Sequence, residues 1–318
     1  MESTAHFQVG TKIQPPGGRS TTLSTDHSIL ALLPSHNTVA FRYMLLTRVP
    51  SPALRPFVRT LWAHDQTEPP PSNATREHVL PTGVMHLVFR LSDNPLRLFK
   101  DDYDPIGQKI GYAIVGGARA SYYIREISDA VRSVGVQFQP GGADSLFGPP
   151  ADELAGRHTP LDDLWGPFAA EARERLMEAR GPNQQIDLLD SLLAQRLPRV
   201  RGMHPAVAQA LERFTSTANV REVVTEYGYS HRRFIQLFRQ AVGLTPKLYC
   251  RILRFQSVID RISADRGASW VELALGAGYS DQPHFNREFR EFAGLAPGEY
   301  RSATPAAGNH VPINRPAQ

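Results

Sequence analysis

A single cysteine among 318 residues excludes an internal disulfide framework and suits a reducing compartment. No apolar run approaches the roughly 18 residues of a membrane-crossing helix, so no membrane partner is expected. The N-terminus lacks the basic stretch and apolar core of a secretory signal, and the expected location is the cytoplasm. A large excess of one charge is missing too. A net charge of +4 and a pI of about 9.3 permit a nucleic-acid partner without demanding one. The glycine turns "GGAR" (116–119) and "QPGGAD" (139–144) lack phosphate-loop spacing, and no nucleophile elbow occurs. The paired acids of "DELAGRHTPLDDLW" read as helix starts rather than general acid/base groups. No enzyme is expected. His78 and His86 have neither a close His-x-His pair nor a well-placed carboxylate, so they read as ordinary barrel histidines, with no metal and no cofactor. Arg251 and Arg254 near Cys250 would favour a thiolate and a redox switch; a buried structural cysteine is the preferred reading.

What is present is the composition of a soluble globular protein, 41% hydrophobic and 21% charged, long enough for two domains. Residues 1–43, rich in Ser, Thr, Pro and Gly, read as a disordered tail, and Met44 as the natural start. Residues 44–200 read as a β-rich domain with a helical annex. "HVLPTGVMHLVFRL", "KIGYAIVGG" and "SVGVQFQPGG" are strand-type runs closed by turn residues. "GADSLFG" and "PADELAG" are short helices, and "GPFAAEARERLMEARG" and "NQQIDLLDSLLAQRL" are amphipathic ones. A basic linker, "PRVRG" at 198–202, leads to an all-helical segment, 203–303. The Pro-rich end, 304–318, reads as a flexible tail. The fold class is α+β.

Within the helical segment the chain repeats itself. Gly228-Tyr229-Ser230 matches Gly278-Tyr279-Ser280 at an offset of 50. Phe238-Arg239, Gly243-Leu244, Pro246 and Tyr249 match Phe289-Arg290, Gly294-Leu295, Pro297 and Tyr300 at an offset of 51. One residue is inserted between the two sets. Each copy, about 219–243 and 269–294, reads as a helix, a glycine turn and a second helix capped by serine (Ser230, Ser280), with Asp281 and Pro283 suited to the helix start. This is the helix-turn-helix plan, in which the second helix enters the DNA major groove. Away from its apolar stripe the first second-helix shows His231, Arg232, Arg233, Gln236 and Arg239; the other shows Gln282, Asn286, Arg287 and Arg290. Arg, Gln and Asn have the bidentate geometry that reads base edges. The bland alternative is a solvated helix face. "TPKLYCRILRFQSVIDRIS", 245–263, joins the copies as one helical pattern of roughly 28 Å at 1.5 Å per residue. Adjacent major-groove segments lie roughly 34 Å apart, so such a rod can hold two reading helices one turn apart.

"GYSDQPHFNREFREFAGLAPGEYR", 278–301, resembles the signature of the AraC/XylS family of bacterial transcription regulators. The resemblance covers roughly the last hundred residues and implies two helix-turn-helix units joined by a long helix, bound to double-stranded DNA at promoters. By position it implies base contacts at Arg232, Ile235 and Gln236 in the first unit. In the second it implies them at Gln282, Pro283, Asn286 and Arg287. Val224 departs from the family's small alanine, and Ile235 and Pro283 carry no donor, which leaves thymine-methyl contact or shape at those points. "LPTGVMHLVFRL" and "VGVQFQPGGADSLFGPPADELAGRHTPLDDLWG" are similar to an N-terminal domain attached to such regulators, implying a partial, cupin-like β-barrel that senses a small-molecule effector or forms a homodimer. RNA polymerase is a further implied partner. The rival readings are a DNA-recruited enzyme with catalysis in the β-domain and a protein-interaction adaptor.

Overall fold

The structure is a computed structural model that describes residues 43–66, 74–127, 131–197, 203–214, 229–303, 305 and 308–313. The expected tail before Tyr43, the linker 198–202 and the first helix of the first unit, with Val224 and Gly228, lie outside the described residues. Ten strands come first: β1 (Tyr43–Arg48), β2 (Val58–Gln66), β3 (Arg76–Val79), β4 (His86–Arg90), β5 (Leu96–Phe99), β6 (Gln108–Gly111), β7 (Ala113–Gly116), β8 (Tyr123–Glu126), β9 (Val131–Phe138) and β10 (His158–Pro160). The short helices α1 (Asp144–Phe147) and α2 (Ala151–Leu154) precede β10, and α3 (Asp162–Trp165), α4 (Phe168–Glu178) and α5 (Pro182–Arg196) follow it. Then come α6 (Pro205–Phe214), α7 (His231–Val242), α8 (Pro246–Ala264), α9 (Trp270–Gly276), α10 (Gln282–Ala293), α11 (Pro297–Ala303) and a last strand, β11 (His310–Ile313).

The strands form two antiparallel sheets, one of order β1-β2-β9-β4-β7-β10 and the other β11-β3-β8-β5-β6. The run "KIGYAIVGG" is two strands, β6 and β7, in different sheets. The chain turns the corner at Gly111, whose φ of 145° a side chain would disfavour. Alternation along each strand sorts the faces. On the six-stranded sheet Leu61, Leu87, Phe89, Val115, Val134 and Val136 point one way and are buried with Ala172, Leu176, Ile186 and Leu189 of α4 and α5. His64, Gln137, His86, Gly116 and His158 share the opposite face, since His86 pairs with both Gln137 and Gly116, and Gly116 with His158. That polar face is turned toward Tyr123, Arg125, Glu77 and His310 of the five-stranded sheet, and at its edge the His158 and Tyr123 rings meet, with centroids 4.4 Å apart. Arg125, His310 and Glu77 all act electrostatically on His64, across the gap between the sheets.

The five-stranded sheet turns its other face to the helical domain. Stacked on Tyr122, His78 is fully buried there, with Nδ1 2.9 Å from the Ala293 carbonyl oxygen. The two histidines read as ordinary barrel residues thus have separate places, His86 between the sheets and His78 between the domains. The C-terminal residues differ from the expected flexible tail. The Leu80 amide donates to the Asn309 carbonyl oxygen, and β11 then pairs with β3, burying Val311 completely. Pro312 is tolerated because β11 is an edge strand. Its local composition says turn; the order comes from β3, which is remote in sequence.

The second helix of each repeat, α7 and α10, ends against the β-domain. Gly243 and Gly294, at the repeat offset, are left-handed C-caps with φ of 85° and 72°. Gly243 packs on Ala118 and the Ala151 carbonyl, and Gly294 on Tyr122 and His78. Gly278 has the same backbone sign, φ 80°, but open space around it. Gly278→Ala should therefore cost only left-handed strain, about 1–2 kcal/mol. Gly294→Ala adds a Cβ 2.4 Å from the Tyr122 ring and should lose more, with the second unit undocked. Melting temperatures and limited proteolysis of the two variants measure this; equal losses would mean that the contact at Gly294 contributes nothing.

Candidate nucleic-acid interface

The second unit is described in full. Trp270–Gly276 is its first helix, Gly278 makes the turn and α10 is the second helix. Its cap differs from the expected one. Asp281, not Ser280, accepts the His284 amide, at 2.7 Å, while Ser280 Oγ donates to Asp281 Oδ2. In the first unit Ser230 accepts the Arg233 amide, at 3.3 Å, as its position predicts. The inserted residue therefore lies in the second turn, just before the cap, and brings Asp281 into register with Ser230. A carboxylate at a helix N-terminus also complements the dipole.

The repeated letters build repeated cores. Phe238 meets Tyr249 edge-on, with ring centroids 5.7 Å apart, and Phe289 meets Tyr300 likewise at 5.5 Å. Tyr249 and Tyr300 open with Pro246 and Pro297 the helices that follow each reading helix, at positions where proline's missing N–H costs nothing. In the first unit that following helix is α8 itself, 19 residues and roughly 28 Å long.

With the apolar faces buried, the opposite faces are left outward. Arg232, Gln236 and Arg239 are exposed on α7, spaced for one face, with Ile235 half-buried among them. Arg233 donates to Gln236 Oε1 at 3.1 Å, so part of this face is pre-arranged. On α10 Gln282, Pro283, Arg287 and Arg290 are exposed and Asn286 half-buried. The structure thus brings the expected side chains onto one face of each helix. What they would offer a duplex is guanidinium and amide groups for base edges and phosphates.

One residue on α10 was missed. Glu288 is 2% exposed, yet charged. Arg251 Nε donates to it at 2.7 Å and Arg254 Nη2 at 2.9 Å, both from α8, while Arg251 Nη2 reaches Glu291 at 2.6 Å. Burial alone would raise the Glu288 carboxyl, but the arginine hydrogen bonds outweigh it and hold it below its ordinary value. A signal existed. The offset of 51 sets Glu288 against Leu237, a stripe position, so the repeat itself places a carboxylate where the first unit has an apolar residue. The network clamps α10 to the connecting rod. It also occupies Arg251 and Arg254, which a thiolate at Cys250 would need. The Cys250 thiol is buried and pushed up to about 11 by desolvation, with Arg254 opposing. This is the buried structural cysteine rather than the switch.

The helix-turn-helix domain family matches residues 223–303, and a family described as a domain of unknown function (DUF6597) matches residues 46–160. Among curated proteins, the HTH-type transcriptional regulator ArgR of Pseudomonas aeruginosa is 28% identical over 117 residues, 34% of this chain and 35% of the relative. An uncharacterized HTH-type transcriptional regulator of Haemophilus influenzae is 30% identical over 74 residues, 23% of this chain and 24% of the relative. The matches thus span about a third or less of these relatives. Among solved structures, an apo variant of ToxT from Vibrio cholerae aligns over 81% of this chain and 97% of its own, with a TM-score of 0.40 and 11% identity. Residues 223–303 thus match a helix-turn-helix domain family, and residues 46–160, earlier in the same chain, match the domain of unknown function.

Proposed function

We propose that the chain is a sequence-specific transcription regulator, cytoplasmic, whose helical domain reads two adjacent major-groove segments at a promoter and whose β-domain senses a small-molecule effector or dimerises. The observation that carries this reading is the pair of outward helix faces, Arg232-Ile235-Gln236-Arg239 and Gln282-Pro283-Asn286-Arg287-Arg290, on helices otherwise buried along their apolar stripes. The regulators among the relatives support it. Contact with RNA polymerase and homodimer formation belong to the same proposal. Among the described residues no helix is long and apolar enough to cross a membrane.

A salt-titrated shift assay with the full chain tests the reading. Affinity for a genomically mapped site should fall steeply with salt, as counterions are released from phosphates. Indifference to salt and to sequence would favour the adaptor reading, and turnover of a substrate by the β-domain the DNA-recruited enzyme. Arg287→Ala should weaken specific binding by about 1–3 kcal/mol and relax preference at one base step if its contact is bidentate to guanine. Equal loss on specific and random duplex would assign Arg287 to a phosphate.

A further inference from the structure

The space between the two sheets is lined by an unusual set of side chains. His64, His86 and His158 each keep some surface within reach of solvent. Yet desolvation, the largest effect on each, with Arg125, His310 and Arg119 respectively next, lowers His64 and His86 to about 4 and His158 to about 3. Groups that are surrounded by protein but still accessible line a concave surface, not a packed core. Gly116 contributes to it as well. Between His86 and His158 in the sheet, it has no side chain, and the nearest atom to the place of a Cβ is His158 Cδ2, at 3.8 Å.

Arg119 stands apart from the ion pairs of this space. Glu77 is claimed twice over, by Arg125 and by His310 Nδ1 at 2.8 Å. Burial would raise its carboxyl, and Arg125 and His310 together bring it down to about 2. Arg119 has no such partner. Among the described residues no carboxylate lies within ion-pairing distance of it. Its guanidinium lies 4.4 Å from the centroid of the Tyr123 ring and 3.1 Å from His158 Nδ1, a neutral nitrogen. Both contacts orient the fork, but neither neutralises it. A desolvated guanidinium is costly without an anion beside it. The loop that carries it is also held rigid. Gly117 donates to the Arg157 carbonyl and Ala118 accepts from Gly156. A Cβ on Gly117 would fall 1.8 Å from the Leu154 carbonyl oxygen, so only glycine fits this close approach. Rigid support, a fork with no carboxylate beside it and partly accessible imidazoles around it are the parts of a binding site.

We propose that the space between the sheets binds a small organic or inorganic oxyanion, with its carboxylate or phosphate head on the guanidinium of Arg119 beside Tyr123, His86 and His158. The neutral imidazoles donate or accept as the head group requires, and the planar fork of Arg119 matches two oxygens at once. This deepens the effector role proposed for the β-domain and rests on it. Ala118, next in sequence to Arg119, touches the cap glycine of the first reading helix, Gly243, so the site adjoins the helical domain.

The test is a thermal-shift titration of the full chain at pH 7, without DNA, using sodium phosphate and sodium benzoate against sodium chloride at matched ionic strength. At least one oxyanion should raise the melting temperature saturably while chloride does not; phosphate alone or benzoate alone tells which head group is preferred. Arg119→Gln should weaken that response at least tenfold. Arg119→Lys, which keeps the charge and loses the fork, should fall between Arg119→Gln and the parent chain. No saturable response to either anion, or an unchanged response in the variants, overturns the proposal. Because no DNA is present, such a failure leaves the regulator reading standing, and a failure of operator binding leaves the titration standing.

Discussion

Glu288→Ala is expected to destabilise the protein by about 3 kcal/mol at pH 7, the low end of the range for breaking a buried ion pair. The low end applies because Arg251 and Arg254 keep 27% and 26% of their side-chain surface in solvent and can be partly rehydrated. The variant leaves two guanidiniums facing a gap, with only Glu291, half in water, to hold one of them. The loss should depend on pH. Since the folded carboxyl is held below its unfolded value, its contribution is complete above the ordinary value of 4.5 and fades as pH falls through the lowered folded value. Glu77 behaves the same way and loses its contribution between 4.5 and about 2. Denaturant titrations of both proteins at pH 7 and pH 3 decide the matter. The gap between parent and variant should shrink at pH 3; a gap that is the same at both, or below about 1 kcal/mol at pH 7, would mean that Glu288 is not held as a charge. Glu288→Gln, which keeps the shape, should show the same narrowing.

Arg254→Pro is expected to cost at least roughly 3 kcal/mol, because an interior proline removes a helix hydrogen bond and clashes with the preceding turn. Arg254 lies midway along α8, the rod between the two units. The substitution also removes one donor to Glu288. Arg254→Gln separates the two effects, since it keeps the helix and loses only the charge. DNA affinity should discriminate further. With the rod broken, the two units no longer hold a fixed spacing, and the gain from linked binding, about 10²–10⁴-fold, should be largely lost on a full site while half-site binding survives. Arg254→Gly, a milder break of about 1 kcal/mol, should give an intermediate loss if the proline variant does not fold. Full-site affinity equal to the parent in a folded Arg254→Pro protein would refute the rigid-spacer argument.

Much of the helical domain is legible in sequence because its signals are local. The glycine of the second turn, the Ser230 cap three residues before the amide it accepts from, the proline opening α8 and the aromatic stripes at three- and four-residue steps all act within one or two helical turns. Repetition then made the pattern readable twice. The strand-type runs of the β-domain and the amphipathic helices behind it were legible for the same reason. Four features were not. The repeat sets Glu288 at an apolar stripe position, but its charge has no visible partner until α8 brings Arg251 and Arg254 against it, 37 and 34 residues earlier in the chain. The residues 310–313 look like an unstructured end until β3, more than two hundred residues upstream, offers them an unpaired edge. In the sequence Gly243 and Gly294 are only repeated positions, and nothing in their neighbourhood announces that Ala118 and Tyr122 pack on them. The histidines 64, 86 and 158 meet Arg119 and Arg125 only when the two sheets face each other. The sequence by itself therefore determined the second helix of each repeat with its outward polar face, the whole of the second unit and the helical rod, since backbone hydrogen bonds, caps and apolar periodicity are satisfied over a few residues. The buried carboxylate clamp, the docking of both units and the polar space between the sheets were decided by tertiary structure alone. A charge can be buried, or an edge strand paired, only by partners whose distance along the chain no local pattern records.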